Sequence, residues 1–162
     1  MFGLTALGIV HTAVSLVAVV AGAWAIVRDR EIVPANRLGK LYLVTTAITA
    51  ATALGIYQHG GFGTPHKLAI LTLAAIAIGT LAATTALFGG ASRYVQAIGY
   101  TSTFLFHMIP ASVEILTRLP PDAPMVTAAN ASVLNSLFSV FFVLFLIGLG
   151  FQLRWLQTSL RR

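Results

Sequence analysis

Cysteine is absent from this chain of 162 residues. Without thiols the protein has no disulfide, no thiolate-ligated metal and no covalently attached c-type haem. Charge is also scarce, since 9% of the residues are charged, whereas ordinary soluble domains contain about 25%. The sequence contains no P-loop, Gly-x-Ser-x-Gly or His-Glu-x-x-His motif, so the ATPase and hydrolase classes have no support from its residues.

Apolar residues are correspondingly abundant. They make up 57% of the chain, and its mean hydropathy is +0.89. A helix needs about 20 residues to cross the hydrocarbon core of a bilayer, and several apolar runs are that long. The sequence therefore predicts an all-α integral membrane protein, a single bundle of five transmembrane helices in contact with lipid. The spans are predicted at residues 2–27, 38–58, 66–88, 93–119 and 125–153.

The placement of Lys and Arg predicts the orientation. In the five-span arrangement, eight of the ten basic residues lie on one side of the membrane, and Lys67 and Arg118 lie on the other. Basic loops stay in the cytoplasm, so we expect the N-terminus outside and the C-terminus in the cytoplasm of a bacterial plasma (inner) membrane. The formal net charge of +6 then reflects topology, and no nucleic-acid partner is expected.

Ionisable side chains interrupt the fourth predicted span. His107 and Glu114 are seven residues apart, so they lie on nearly the same face of a helix, two turns apart. Pro110 between them cannot donate a backbone hydrogen bond and is predicted to kink the helix. Ionisable groups inside a membrane are costly, and they are candidates for a functional site by default.

All four histidines are predicted to lie in the outer half of the protein. At 1.5 Å per residue, His11 lies roughly 14 Å and His107 roughly 16 Å below the outer ends of their spans. His59 and His66 flank the glycine-rich turn between the second and third spans. We therefore expect an outward-facing cluster of histidines.

Three chemistries are compatible with such a cluster. The first, which is the leading prediction from the sequence, is b-type haem held by His11 and His107 on facing helices, with a role in electron transfer. The second is a divalent metal, Zn or Cu, bound by His59, His66 and Glu114 near the outer surface. The third is a quinone or proton-relay site in which His107 and Glu114 move protons, together with a redox partner.

A structural interpretation stands beside these three. Buried histidines often only donate hydrogen bonds to a neighbouring helix, as do the threonines of the second span. Glu114 can pair with Arg118 one helical turn later. The protein would then be a structural or accessory subunit without a cofactor, in a homo-oligomer or a larger membrane complex.

Short motifs at three places resemble a group of small bacterial membrane proteins of unknown function. These are a helix entry at Gly39-Lys40-Leu41-Tyr42, the turn Gly61-Phe62-Gly63 with His66 after it, and Glu114 ahead of the exit Arg118-Leu119-Pro120. The group typically has Gly-Arg-x-Tyr at the entry, often preceded by a histidine, where this chain has Ala35 and Asn36. The resemblance implies a multispanning membrane fold and marks His66 and Glu114 for testing, but it implies no substrate.

Overall fold

The computed structural model describes residues 5–57, 61–120, 122–127 and 130–160. In these residues the chain forms five α-helices and no strand, which confirms the all-α prediction. The helices are α1 (Ala6–Asp29), α2 (Arg37–Ala53), α3 (Thr64–Thr84), α4 (Ser92–Arg118) and α5 (Ser132–Leu160). A single 3-10 turn at Gly89–Ala91 leads into α4.

Local chemistry fixes where the first two helices begin and end. The Thr5 hydroxyl accepts from the Gly8 N–H at 3.1 Å and caps α1, and the Asn36 side chain caps α2 by accepting from the Gly39 N–H at 2.8 Å. Such caps satisfy backbone donors that have no partner inside the helix. Arg30 ends α1 in the left-handed conformation, with φ of 62°. Pro110 does not end α4, which continues to Arg118 as one helix.

The first four helices form a ring, and α5 lies outside it. α1 packs on α2, α2 on α3 and α3 on α4, and contacts between α1 and α4 close the ring. α5 packs mainly against α4. Small residues allow the close approach: a Cβ atom on Gly22 would lie 2.6 Å from the Tyr42 ring, and one on Gly79 would lie 2.7 Å from the Tyr100 ring. These two tyrosines lie at the centre of the bundle.

Three of the five helices, α1, α3 and α5, are long and apolar enough to cross a membrane. α2 has only 17 residues, and α4 contains Pro110 and several polar side chains, so neither combines the length and the apolar character of the other three. The exposed surface of the helix bundle is apolar as well, and Val27, Leu87 and Phe151 are each more than 70% exposed. Such a surface suits lipid, since soluble proteins rarely expose large apolar patches.

The last helix differs most from its predicted span. Residues 125–153 were expected, whereas α5 runs from Ser132 to Leu160. The preceding segment folds back on the end of α4 instead, because the Met125 N–H donates to the Leu119 carbonyl at 3.2 Å and the Val126 N–H to the Leu116 carbonyl at 2.8 Å. At its C-terminal end, α5 continues past the predicted limit at residue 153, because the basic side chain of Arg154 is exposed and is accommodated on the helix surface. Smaller differences occur at α2 and α3, which end at Ala53 and Thr84.

Candidate functional site

Two imidazoles from different helices contact α2. The Nδ1 atom of His11 lies 3.0 Å from the Thr52 hydroxyl oxygen, and the Nε2 atom of His107 lies 3.1 Å from that of Thr46. Both residues that the sequence predicted as cofactor ligands therefore contact the same helix, and α2 supplies a hydrogen-bonding partner for each of them.

The hydrogen bonds of Thr52 determine which nitrogen of His11 carries the proton. The Thr52 hydroxyl donates to a backbone carbonyl of its own helix, that of Ile48 at 2.8 Å or that of Thr49 at 3.0 Å. Its single proton is thereby used, so its oxygen accepts from the Nδ1–H of His11. The Nε2 atom of His11 then keeps its lone pair, and it can accept a proton or bind a metal.

A line of buried side chains extends from His107 toward the other end of the bundle. The Thr103 hydroxyl donates to the Tyr100 carbonyl at 2.7 Å, so it accepts from the Tyr42 hydroxyl, 2.6 Å away. Thr46 lies one turn along α2 from Tyr42, on the same face of the helix. If Thr46 donates to Tyr42, it accepts from the Nε2–H of His107. The three hydroxyl groups belong to fully buried residues. We refer to the four side chains together as the polar line: His107, Thr46, Tyr42 and Thr103.

The sequence predicts only part of the polar line. His107 stands out as a site residue and the threonines of the second span as hydrogen-bonding groups, whereas nothing in the sequence pattern marks Thr103, and Tyr42 belongs only to the helix-entry motif. The available signal was the position of Tyr42 inside an otherwise small and apolar span, since a buried tyrosine hydroxyl usually has a partner.

Glu114 lies near the C-terminal end of α4 and is exposed. Its Oε2 atom is 2.7 Å from the Nε atom of Arg118, one turn along the helix, which is the pairing that the structural interpretation anticipated. Glu114 lies two helical turns beyond His107, toward the C-terminal end of α4, and among the described residues it forms a hydrogen bond with neither imidazole.

His66 does not point toward those imidazoles. It is 4% exposed, and its ring lies between those of Tyr57 and Phe62, with centroid distances of 4.7 and 5.2 Å. The Gly63 N–H donates to its Nδ1 atom at 3.2 Å, so in the neutral ring the proton is on Nε2. A nitrogen that carries a proton has no lone pair for a metal.

The other parts of the predicted metal site do not complete it. His59 lies outside the described residues, and Glu114 is paired with Arg118. In the part of the chain that the structure describes, no group of three His, Asp or Glu side chains is placed to hold a metal ion. The described residues thus supply no set of ligands for Zn or Cu.

The two imidazoles fit a shared haem only in part. His11 has a free Nε2, the atom expected to bind iron when Nδ1 donates to a neighbour. His107 instead uses Nε2 to contact Thr46, and it packs edge-on against the Tyr42 ring at a centroid distance of 6.3 Å. A cleft of about 690 Å³ does exist between α4 and α5, but neither histidine lines it. To bind a haem iron through Nε2, His107 would have to release Thr46.

Glu31 is a further buried ionisable group, away from the histidines, and the sequence did not predict its burial. Glu31, in the loop between α1 and α2, is 2% exposed and pairs with Arg93 at the start of α4. Burial raises the pKa of the Glu31 carboxyl, and the nearby Arg93 guanidinium only partly opposes this effect. The Oε2 atom of Glu31 has no hydrogen-bonding partner among the described residues.

No protein-family model matches this chain, and neither a curated protein nor a solved structure matches it. Any assignment of function therefore rests on the geometry of the chain itself.

Proposed function

We propose that this protein relays protons within the bacterial plasma membrane. In this proposal all five helices cross the bilayer, with the N-terminus outside, and the relay serves a redox partner such as a quinone. The observation that carries the proposal is the polar line, in which a buried imidazole is continued by three hydroxyl groups. Each of these groups can both accept and donate a proton.

The order of the groups along the bundle supports a relay. In the proposed orientation Glu114 lies near the outer surface, two helical turns beyond His107 on α4, and His11 and His107 both contact α2. His11 keeps a free lone pair on Nε2, and imidazole is the side chain that most readily gains and loses a proton near neutral pH. From His107 inward, Thr46 and Tyr42 provide hydroxyl groups through which a proton can move by successive transfers.

Proton flux into vesicles tests this proposal. The purified protein is reconstituted with a pH-sensitive dye trapped inside, and a pH step is applied outside. We expect Thr46→Val to lower the protein-dependent flux at least tenfold, because valine matches threonine in shape but has no hydroxyl. Thr46→Ser should restore the flux, and His66→Ala, remote from the polar line, should leave it unchanged. Flux from the parent protein no faster than that of empty vesicles would refute the relay.

A shared b-type haem is the second candidate, and the free Nε2 atom of His11 is the observation that favours it. The visible spectrum of the detergent-purified protein decides this point through the presence of a Soret band. If the band is present, His11→Ala and His107→Ala should each remove most of it, and the double variant should be little worse than either, because ligands of one iron act as a unit. A colourless protein whose vesicles conduct no protons would favour the accessory interpretation.

The proposed orientation has its own test. A reporter that is active only in the cytoplasm should work when fused after Arg162, and a reporter that is active only outside should work when fused before Met1. The opposite result would place His11, His107 and Glu114 in the cytoplasmic half of the membrane.

A further inference from the structure

The helix α5 is held to the rest of the bundle at one end. Its buried residues are Gln152 and Leu156, both in its last third. The Gln152 side chain donates from Nε2 to the Arg30 carbonyl at 2.8 Å and accepts at Oε1 from the Thr101 hydroxyl at 2.9 Å. A single glutamine thus joins α5 to the α1–α2 loop and to α4.

Next to this attachment, α4 and α5 leave a cleft of about 690 Å³ between them. Its walls are almost entirely apolar, and they include Phe104, Leu105, Met108, Phe141, Phe145 and Leu149. The volume lies within the range of about 300–1,000 Å³ that is usual for ligand-binding pockets. The cleft therefore has the size and the lining to hold a hydrocarbon chain.

The cleft ends at a cation that pairs with no carboxylate among the described residues. Arg30 and Trp155 line it beside Gln152, and the Arg30 guanidinium lies 5.8 Å from the centre of the Trp155 ring. All four acidic residues of the chain lie in the described part, and none forms a salt bridge with Arg30: Asp29 pairs with Arg28, Glu31 with Arg93 and Glu114 with Arg118, and Asp122 lies in the connection between α4 and α5.

We propose that this cleft binds an anionic phospholipid, with an acyl chain between α4 and α5 and its phosphate at Arg30. A wholly apolar cleft would suit another helix equally well, but the Arg30 guanidinium at its end, which pairs with no carboxylate among the described residues, favours an anion. Basic pockets between transmembrane helices are suited to anionic headgroups, and tryptophan favours the depth at which headgroup and acyl chain meet. The site is separate from the polar line, so it does not depend on the proposed relay.

The experiment uses Trp155 as a reporter. The chain contains two tryptophans, so Trp24→Phe leaves Trp155 as the only one. This protein is reconstituted in phosphatidylcholine vesicles that contain a small fraction of either brominated phosphatidylglycerol or brominated phosphatidylcholine, since bromine quenches tryptophan fluorescence on contact. We expect stronger quenching by the brominated phosphatidylglycerol. Arg30→Gln should reduce this preference by about fivefold, the effect of one basic side chain at a membrane surface.

Matched variants distinguish binding in the cleft from general attraction to a basic surface. Gly148 lines the cleft, whereas Gly150 on the same helix does not, and a Cβ atom on either glycine would meet nothing within 4 Å. Gly148→Leu should abolish the preferential quenching and Gly150→Leu should preserve it. Arg37→Gln, which removes an exposed charge near the same end of the bundle, should lower the preference less than Arg30→Gln does. Equal quenching by the two lipids, or equal responses of the two glycine variants, would overturn the proposal.

Discussion

The hydroxyl oxygen of Thr46 lies 3.1 Å from the Nε2 atom of His107, although the two residues are 61 positions apart in the chain. This contact joins α2 to α4 in the buried centre of the bundle. It gives the Nε2 atom of His107 a hydrogen-bonding partner in an apolar interior, so the pair contributes to stability whether or not it also moves protons.

A double-mutant cycle should detect this contact directly. We expect Thr46→Val and His107→Ala to be coupled by about 0.6 kcal/mol, the average for hydrogen bonds between membrane helices, and by no more than about 1.7 kcal/mol. Unfolding in mixed micelles with increasing denaturing detergent measures the free energies of all four proteins. Effects that add to within about 0.3 kcal/mol would mean that the two side chains do not interact.

Gly99 should be the glycine least tolerant of a side chain at the interface between α3 and α4. A Cβ atom there would lie 2.9 Å from the Ala75 carbonyl oxygen, and a backbone atom cannot rotate away as a side chain can. We expect Gly99→Ala to lower the free energy of unfolding by about 1–3 kcal/mol, as measured by detergent-induced unfolding. The control is Gly150→Ala, which places its methyl group in open space and should be neutral or slightly stabilising.

The buried carboxyl of Glu31 should make stability depend on pH. Burial raises its pKa above the ordinary value of 4.5, so the folded protein holds this proton more tightly than the unfolded chain does. The folded state then binds more protons in the window just above pH 4.5, and this contribution to stability is lost as the pH rises through the raised pKa.

Comparison with Glu31→Gln isolates this effect, because glutamine does not titrate. The melting temperature of the parent protein, minus that of the variant, should fall as the pH is raised from about 4 to 7. Parallel melting curves across this range would show that the Glu31 carboxyl has the same pKa in the folded and unfolded states.

His66 should not bind zinc through its imidazole. Nitrogen-15 NMR of histidine-labelled protein should show an Nε2–H signal for His66, because its Nδ1 atom accepts from Gly63. Adding zinc should leave this signal in place, and His66→Ala identifies which signal it is. Loss of the Nε2 proton at stoichiometric zinc would contradict the assigned tautomer and would return the outer-surface metal site to consideration.

The long apolar runs and the scarcity of charge were sufficient to predict an all-α membrane protein, because crossing a bilayer requires helices of a fixed minimum length. Local spacing was equally informative: Glu114 and Arg118 are four residues apart and pair as adjacent turns of a helix must. His11 and His107 could also be recognised as interior polar groups from the sequence, because an ionisable residue is conspicuous inside an apolar run.

Only the tertiary structure decided which side chains meet. Tyr42 and Thr103 are 61 residues apart, as are Thr46 and His107, and Glu31 and Arg93 are 62 residues apart. No periodicity within one helix can predict such pairs, because they depend on how the helices rotate and approach each other. Gly22 and Gly79 control that approach by making room for Tyr42 and Tyr100. Tertiary contacts also determined where α5 begins, because the backbone N–H groups of residues 125 and 126 donate hydrogen bonds to the end of α4 instead of beginning a new helix.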